Sequence, residues 1–173
     1  VAGSENAFVE LMNTKALTLG MTSTHFMNPT GLHHPLQYTT AADMAKLLDY
    51  ALNRPVLRQM LTTKYYRTTA TPEHPQGLFL KERLFFLLRE QARLKDKPEL
   101  GTGKLSPTAQ ILGGKTGATS NAGLCLASFA NIHGREYILV TTAAMGNIFV
   151  DRYHVTDALQ IYGQLDKLLA NTY

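Results

Sequence analysis

Apolar residues recur at helical spacing near the start of the chain, at positions 8, 11, 12, 16 and 19. Ser4 precedes this series and is a favoured helix N-cap residue. Gly20 follows it and can end a helix in the left-handed conformation. The spacing therefore predicts a first helix between Ser4 and Gly20.

Three further segments carry signals for helices. Thr40 is followed three residues later by Asp43, as at the start of a capping box, and apolar residues follow at positions 44, 47, 48, 51 and 52. Pro55 suits the first position of another short helix with apolar positions 56, 57, 60 and 61. A fourth, amphipathic stretch has leucines at 80, 84, 87 and 88, with charged residues at 81, 82, 83, 89 and 90 opposite them.

From Gly123 the pattern changes to two apolar runs, residues 124–130 and 137–145. Both alternating faces of each run are apolar, which predicts strands covered on both sides by helices. The segment Asn131–Gly134 between them has turn composition and predicts an antiparallel pair.

A last helix is predicted from about residue 151 to residue 169. One side of it carries Val155, Ala158, Leu159, Tyr162, Leu165 and Leu169. Helices followed by an antiparallel pair and a final helix indicate an α/β fold, with an antiparallel sheet covered by helices on both faces. No internal repeat or linker indicates a second domain.

Composition narrows the classes of function. The 173 residues are enough for one domain, and 45% hydrophobic with 17% charged residues is typical of a globular protein. The net charge of +4 is modest and the basic residues are dispersed, so no nucleic-acid partner is predicted. The sequence contains no run of eighteen apolar residues, so no transmembrane helix is predicted.

Cysteine and histidine usage points away from disulfide and zinc chemistry. Cys125 is the one cysteine of the sequence, and its neighbours Leu124 and Leu126 predict a small buried hydrophobic residue. No two of the six histidines stand four residues apart around a glutamate. The sequence therefore predicts neither a metal site nor a cofactor.

Residues 113–123, Gly-Gly-Lys-Thr-Gly-Ala-Thr-Ser-Asn-Ala-Gly, place one lysine and three hydroxyl residues among four glycines. Glycine lets a backbone approach a ligand closely, because no Cβ stands in the way. Lys115 supplies a compact positive charge and Thr116 a hydroxyl group. This combination suits an anionic substrate.

Three interpretations of this segment are open from the residues alone. A phosphate-binding P-loop needs a glycine at position 109, where the chain has Ala109, and Pro107 does not suit a strand leading into such a loop. The Lys-Thr-Gly box of serine acyl-transferases, which act on β-lactams and on peptides ending in D-alanine, fits better. A glycine-rich hairpin turn with a solvated lysine is the third interpretation, and it is favoured for an isolated three-residue match.

The match extends beyond three residues. Residues 24–32 (Thr-His-Phe-Met-Asn-Pro-Thr-Gly-Leu), 38–45 (Tyr-Thr-Thr-Ala-Ala-Asp-Met-Ala), 1–4 and 114–123 together resemble the low-molecular-mass penicillin-binding proteins, the D-alanyl-D-alanine carboxypeptidases, in the same order. The resemblance is weakest over residues 65–110, whose role stays open. It implies a β-lactamase/transpeptidase-like fold.

The resemblance also implies an activity. Such enzymes remove the terminal D-alanine of peptidoglycan stem peptides through a serine acyl-enzyme, are acylated by β-lactam antibiotics, need no cofactor and act outside the cytoplasm. A β-lactamase is a close alternative. A non-catalytic module with the same fold is an alternative from a different class.

Two sequence motifs of the family that this chain resembles, Ser-x-x-Lys and Ser-x-Asn, have no convincing match here. No lysine stands three residues after any of the five serines, so the nucleophilic Ser-x-x-Lys box is absent from the sequence. Ser4-Glu5-Asn6 matches Ser-x-Asn only formally and is interpreted as a helix cap. The resemblance therefore implies that residues 1–173 are the C-terminal portion of a single catalytic domain. The N-terminal portion would be its partner, and strand 137–145 would be left as an exposed apolar edge.

The resemblance assigns roles to five residues. Lys115 and Thr116 are the catalytic candidates: the lysine attracts the terminal carboxylate and influences proton transfer, and the threonine hydroxyl bonds that carboxylate. Gly117 lets the substrate lie along the backbone, and the amide of Ala118 is one oxyanion-hole donor. Arg152 is either a second contact for the carboxylate or a solvated residue in the last helix.

Overall fold

A computed structural model describes residues 2–93, 105–146 and 152–171 of the chain. Within these ranges, five helices and five strands follow in the order α1 (Glu5–Thr18), α2 (Ala41–Leu52), α3 (Pro55–Thr62), β1 (Tyr65–Arg67), β2 (Phe79–Lys81), α4 (Arg83–Arg93), β3 (Ala109–Thr119), β4 (Gly123–Ile132), β5 (Arg135–Ala144) and α5 (Tyr153–Ala170). The predicted α/β class is confirmed. The predicted start of the last helix, residue 151, lies outside the described residues.

The first helix begins and ends as predicted. The Ser4 hydroxyl accepts a hydrogen bond from the Ala7 amide at 3.2 Å, and Gly20 has a φ of 72°. Burial differs from the prediction, because Ala16 is buried while Phe8 and Leu11 are 38% and 55% exposed. Within the described part of the chain, the apolar face of α1 is therefore largely uncovered.

The second and third helices also begin at the predicted residues. The Thr40 hydroxyl accepts from the Asp43 amide at 3.1 Å, which is one half of a capping box. The other half is missing, because the Asp43 carboxylate bonds the preceding loop and not the Thr40 amide. Pro55 is the first residue of α3, where its missing N–H costs no helical hydrogen bond.

The main sheet has the order β3-β4-β5 and is antiparallel throughout. His133 and Gly134 join β4 to β5 with φ values of 50° and 81°, as a two-residue hairpin turn requires. The Asn131 side-chain oxygen accepts from the Gly134 amide at 3.2 Å. The predicted turn and antiparallel pair are confirmed, and β3 and β5 are the edges of this sheet.

Helices cover both faces of the sheet, as predicted. On one face, α4 and α5 pack on alternate strand residues, and this core comprises Leu84, Leu87, Ala109, Ile111, Leu126, Ala130, Ile132, Val155, Ala158 and Tyr162. On the other face, Phe129 is fully buried and the guanidinium of Arg58 in α3 lies 5.3 Å from its ring centre. Helix α2 packs beside α3 and against β5.

A buried polar pair joins α5 to the sheet. The hydroxyl groups of Tyr162 and Ser128 lie 3.2 Å apart, and both residues are almost fully buried. Burial raises the pKa of Tyr162 to about 12, against the smaller opposite effect of its hydrogen bonds. The phenol therefore stays neutral at physiological pH. It gives the buried Ser128 hydroxyl a hydrogen-bond partner inside an otherwise apolar core.

The segment in which the resemblance is weakest contains an element that the periodicity did not predict. Strands β1 and β2 form a separate hairpin, so Leu80, expected on a helix, lies in β2 and is 49% exposed. Helix α4 begins only at Arg83, where the Glu82 carboxylate accepts from the Phe85 amide at 3.0 Å. No helix of the described residues is long and apolar enough to cross a membrane.

Candidate active site

The Lys-Thr-Gly segment lies on β3, an edge strand of the described sheet. Lys115, Gly117 and Ala118 are exposed, whereas Thr116 is 7% exposed. The Lys115 ammonium donates to the main-chain oxygen of Thr116 at 2.5 Å. The charge is therefore held beside the strand in an exposed position.

The three glycines of this segment have different environments. A Cβ on Gly113 would lie 2.2 Å from the Leu61 oxygen of α3, and one on Gly114 would lie 2.4 Å from the Ala127 oxygen of β4. For Gly117, no atom of the described residues beyond its two chain neighbours lies within 4 Å of such a Cβ. Packing explains the first two glycines, and the described residues give no structural reason for the third.

The strand register assigns the candidate side chains to opposite faces of the sheet. Thr116 pairs with Leu126, whose side chain is in the core beneath α5. Lys115 pairs with Ala127 and therefore belongs to the opposite face. Gly117 shares the face of Lys115, and Ala118 shares that of Thr116. The four residues meet only at the strand edge.

Arg152 is the N-cap residue of α5 and is half-buried. Its main-chain oxygen accepts from the amides of Val155 and Thr156 at 2.8 and 3.0 Å. Because Val155 packs in the same core as Leu126, Arg152 begins the helix that covers the Thr116 face. This places it on the same side of the sheet as Thr116.

A groove of about 520 Å³ lies beyond the end of the Lys-Thr-Gly segment. One wall is the β3–β4 turn with Thr119, Asn121, Ala122 and Cys125, and the other is formed by Asn28, Pro29, Gly31, His33, His34, Gln37, Tyr38 and Thr39. The two segments that carry the resemblance, some ninety residues apart in the sequence, are therefore adjacent in space. The sequence contained no other sign that these residues share a groove.

Asn28 determines the shape of the loop wall. Its side-chain oxygen accepts from the Gly31 amide at 2.9 Å and the Thr30 hydroxyl at 2.8 Å, and its amide group donates to the Leu32 oxygen at 2.9 Å. The side-chain oxygen of Gln37 accepts from the main-chain amide of Asn28 at 3.2 Å. The sequence marked the Asn-Pro segment, but it did not predict the hydrogen bonds made by the side chains of Asn28 and Gln37.

Asp43 attaches this loop to α2. Its buried carboxylate accepts from the Ser23 amide and the Thr24 hydroxyl, both at 2.8 Å, and from the Lys46 ammonium at 3.0 Å. Burial alone would raise the pKa of Asp43, but the hydrogen bonds from Lys46, Thr24 and Ser23 together lower it below the usual value. Asp43 is therefore a charged anchor of the loop.

The prediction that Cys125 is a buried hydrophobic residue is wrong. Cys125 is half-buried, and its thiol donates to the Ala122 oxygen at 3.5 Å in the wall of the groove. Its neighbours Leu124 and Leu126 point to the opposite, fully buried face, because side chains alternate along a strand. Within the described ranges, no group of three or more metal-ligating side chains is close enough to hold a metal ion.

Comparison with known sequences identifies relatives. A family model described as D-alanyl-D-alanine carboxypeptidase matches residues 1–146. A D-alanyl-D-alanine endopeptidase from Pseudomonas aeruginosa is 31% identical over 160 residues, which are 92% of this chain and 44% of that protein. The D-alanyl-D-alanine carboxypeptidase DacF from Bacillus subtilis is 32% identical over 147 residues, 83% of this chain and 32% of that protein.

Solved structures agree on the fold. A D-alanyl-D-alanine carboxypeptidase from Mycobacterium tuberculosis superposes with a TM-score of 0.70 at 23% identity, covering 95% of this chain and 55% of that one. A mutant of the Streptomyces K15 DD-transpeptidase gives 0.69 at 25% identity, covering 93% and 55%. The predicted transpeptidase-like fold is confirmed. The chain spans less than half the length of these two curated relatives.

Proposed function

Because this chain belongs to the D-alanyl-D-alanine carboxypeptidase family, a family of hydrolases, we propose that the protein carrying it trims the terminal D-alanine from peptidoglycan stem peptides. The reaction proceeds through a serine acyl-enzyme, and β-lactams acylate the same serine. That serine is expected outside the 173 residues, which act as the C-terminal portion of one catalytic domain. The protein works outside the cytoplasm, where its substrate lies.

The observation that carries this proposal is the open edge of β3. Lys115 is exposed there with its charge beside the strand, and Gly117 has free space where a side chain would be. An extended peptide can add to such an edge through main-chain hydrogen bonds, and a missing Cβ allows close approach. The ammonium group then attracts the C-terminal carboxylate of that peptide.

We infer the direction of the neighbouring main-chain groups from the Lys115 hydrogen bond. A side-chain amine reaches the Thr116 oxygen, which supports an orientation of that oxygen toward the open edge. The N–H and C=O groups of one strand residue point the same way and alternate along the strand. The Ala118 amide, two residues on, would then also face the edge, as an oxyanion-hole donor must.

Arg152 and Thr116 supply the second half of carboxylate recognition in this proposal. Both belong to the α5 side of the sheet, so a carboxylate beside the edge can meet the lysine from one face and the threonine and arginine from the other. The Arg152 guanidinium can form a forked pair of charge-assisted hydrogen bonds with a carboxylate. A neutral peptide C-terminus would lose this attraction.

Covalent labelling tests the proposal. The full-length protein, with its natural upstream residues, is incubated with a fluorescent penicillin and the adduct is located by mass spectrometry. We expect stable labelling that Lys115→Met slows by about 100-fold. Lys167→Met, which removes an exposed lysine of α5, is the matched control and should label at the original rate. No labelling of the unmodified protein would favour a non-catalytic module, and rapid hydrolysis of the penicillin would favour a β-lactamase.

A second candidate activity is endopeptidase cleavage, because the first relative above is a D-alanyl-D-alanine endopeptidase and covers 92% of the chain. The two activities share the acyl-enzyme and differ in the group that leaves. A carboxypeptidase releases free D-alanine from a pentapeptide, whereas an endopeptidase cuts a cross-linked peptide internally. Chromatography of the products from both substrates, at equal enzyme concentration, distinguishes them.

A further inference from the structure

The hairpin β1–β2 is exposed on both of its faces. Its register pairs Tyr65 with Lys81, Tyr66 with Leu80 and Arg67 with Phe79, and all six residues are exposed. A two-stranded hairpin of this kind has little stability of its own in water. Apolar groups left uncovered on such an element indicate a surface that meets a partner.

One face of the hairpin is an aromatic platform with two cations. The rings of Tyr65 and Phe79 stack with centres 5.8 Å apart and planes within 9° of parallel. The Arg67 guanidinium lies 5.5 Å and the Lys81 ammonium 5.7 Å from the centre of the Phe79 ring. Apolar area and positive charge are therefore presented together on this face.

The other face adds further apolar area. Tyr66 is 58% exposed and Leu80 49%, and Leu78, which precedes β2, is 43% exposed. A flat protein surface could cover one of the two faces but not both. A medium that surrounds the hairpin, such as the interfacial layer of a lipid bilayer, covers both at once.

The charge of the hairpin indicates which interface it fits. Residues 64–81 contain the cations Lys64, Arg67 and Lys81 and a single carboxylate, Glu73. Aromatic rings favour the headgroup region of membranes, and lysine and arginine are attracted to anionic headgroups. We propose that this hairpin, residues 64–81, docks on an anionic phospholipid surface with its aromatic side chains inserted at headgroup level.

This docking is separate from the peptidase activity, since no residue of the hairpin belongs to the Lys115–Ala118 segment or to its groove. The full-length protein is sedimented with phosphatidylglycerol vesicles and, in parallel, with phosphatidylcholine vesicles. We expect binding to the anionic vesicles at least tenfold tighter than to the neutral ones. The anionic binding should also weaken with added salt.

Paired variants assign this binding to the hairpin. Tyr66→Ser combined with Phe79→Ser removes one aromatic ring from each face and should weaken vesicle binding at least tenfold. The matched control, Val56→Ser with Met60→Ser, replaces two apolar side chains of α3 that are 68% and 66% exposed. This control should leave vesicle binding unchanged.

A charge variant tests the electrostatic part. Arg67→Glu should weaken binding to anionic vesicles about fivefold or more, from roughly 1 kcal/mol for each cation near the surface. Arg135→Glu, at the exposed first residue of β5, should not. All four variants should label with penicillin at the original rate, so failure of docking is distinguishable from failure of the proposed activity.

Several results would overturn the docking proposal. Equal binding to both kinds of vesicle, no binding, or equal losses in the hairpin and α3 variants would each do so. A hairpin variant that lowers the melting temperature of the full-length protein by more than about 5 °C would show that the rest of the domain covers the hairpin. Loss of binding to insoluble peptidoglycan, with vesicle binding unchanged, would identify a glycan as the partner.

Discussion

Glycines 113 and 117 stand four residues apart on the same strand and the same face, and they offer a matched pair of alanine substitutions. In Gly113→Ala the new Cβ would lie 2.2 Å from the main-chain oxygen of Leu61 and 3.0 Å from the Phe129 ring. In Gly117→Ala it would meet no atom within 4 Å in the described part of the chain beyond its two chain neighbours. The same chemical change therefore tests packing at one position and substrate access at the other.

The magnitudes follow from those distances. Cβ atoms essentially never come within 3.0 Å of another heavy atom, so α3 would have to move away from β3 by roughly 1 Å. Overpacking costs typically about 1–3 kcal/mol, and a backbone oxygen cannot rotate away, so Gly113→Ala should cost about 3 kcal/mol. Gly117→Ala should change the free energy of unfolding by about 0.5 kcal/mol or less. A methyl group that displaces the substrate strand by about 1 Å should slow acylation about 100-fold.

Two measurements on the full-length protein separate these effects. Urea unfolding gives the free energy of unfolding of each variant, and the rate of fluorescent-penicillin labelling reports on the site. We expect Gly113→Ala to lose stability and Gly117→Ala to lose labelling while keeping its stability. If Gly117→Ala labels at the original rate, the substrate does not lie against this edge and the proposed binding mode is refuted. A stable Gly113→Ala would refute the packing argument.

Three further predictions concern the loop, its anchor and the sheet edge. Asn28→Ala removes the hydrogen bonds that shape the groove wall and should slow penicillin labelling about tenfold, with hydrogen exchange rising in residues 27–32. Because the pKa of Asp43 is lowered on folding, its stabilisation is complete above the unfolded pKa of 3.8 and is lost as the pH falls through the lower folded pKa. Melting temperatures between about pH 6 and pH 2.5 should therefore fall less steeply in Asp43→Asn, and parallel curves would contradict this. Residues 1–173 expressed alone should self-associate through the unpaired β5 edge in light scattering, and a monomeric, cooperative melt would contradict this.

Local signals in the sequence predicted most element boundaries. Ser4 and Thr40 cap their helices through their own hydroxyl groups, and Pro55 begins α3 through its fixed φ. The turn at His133–Gly134 is likewise a property of adjacent residues. These features depend on atoms a few residues apart, so the sequence contains the information directly.

Predictions that depended on distant contacts were less successful. Leu80 fits a helical stripe, yet its backbone pairs with Tyr66 in a hairpin, and that pairing overrides the period. Asp43 has the spacing of a capping box, but its carboxylate accepts from Ser23 and Thr24 of the preceding loop and from Lys46, and it does not bond the Thr40 amide. Each of these outcomes was decided by a partner that the local pattern does not name.

The candidate site divides in the same way. The sequence by itself determined the residue types that anion recognition needs, a lysine and a hydroxyl beside a glycine, and through its resemblance the family to which they belong. Only the tertiary structure decided that Gly113 is glycine for packing while Gly117 faces open space, and that the Asn28 loop lies across a groove from Thr119. The reason is physical: chemistry belongs to single side chains, whereas free space and proximity depend on how helices and strands pack, and no short stretch of sequence fixes that packing.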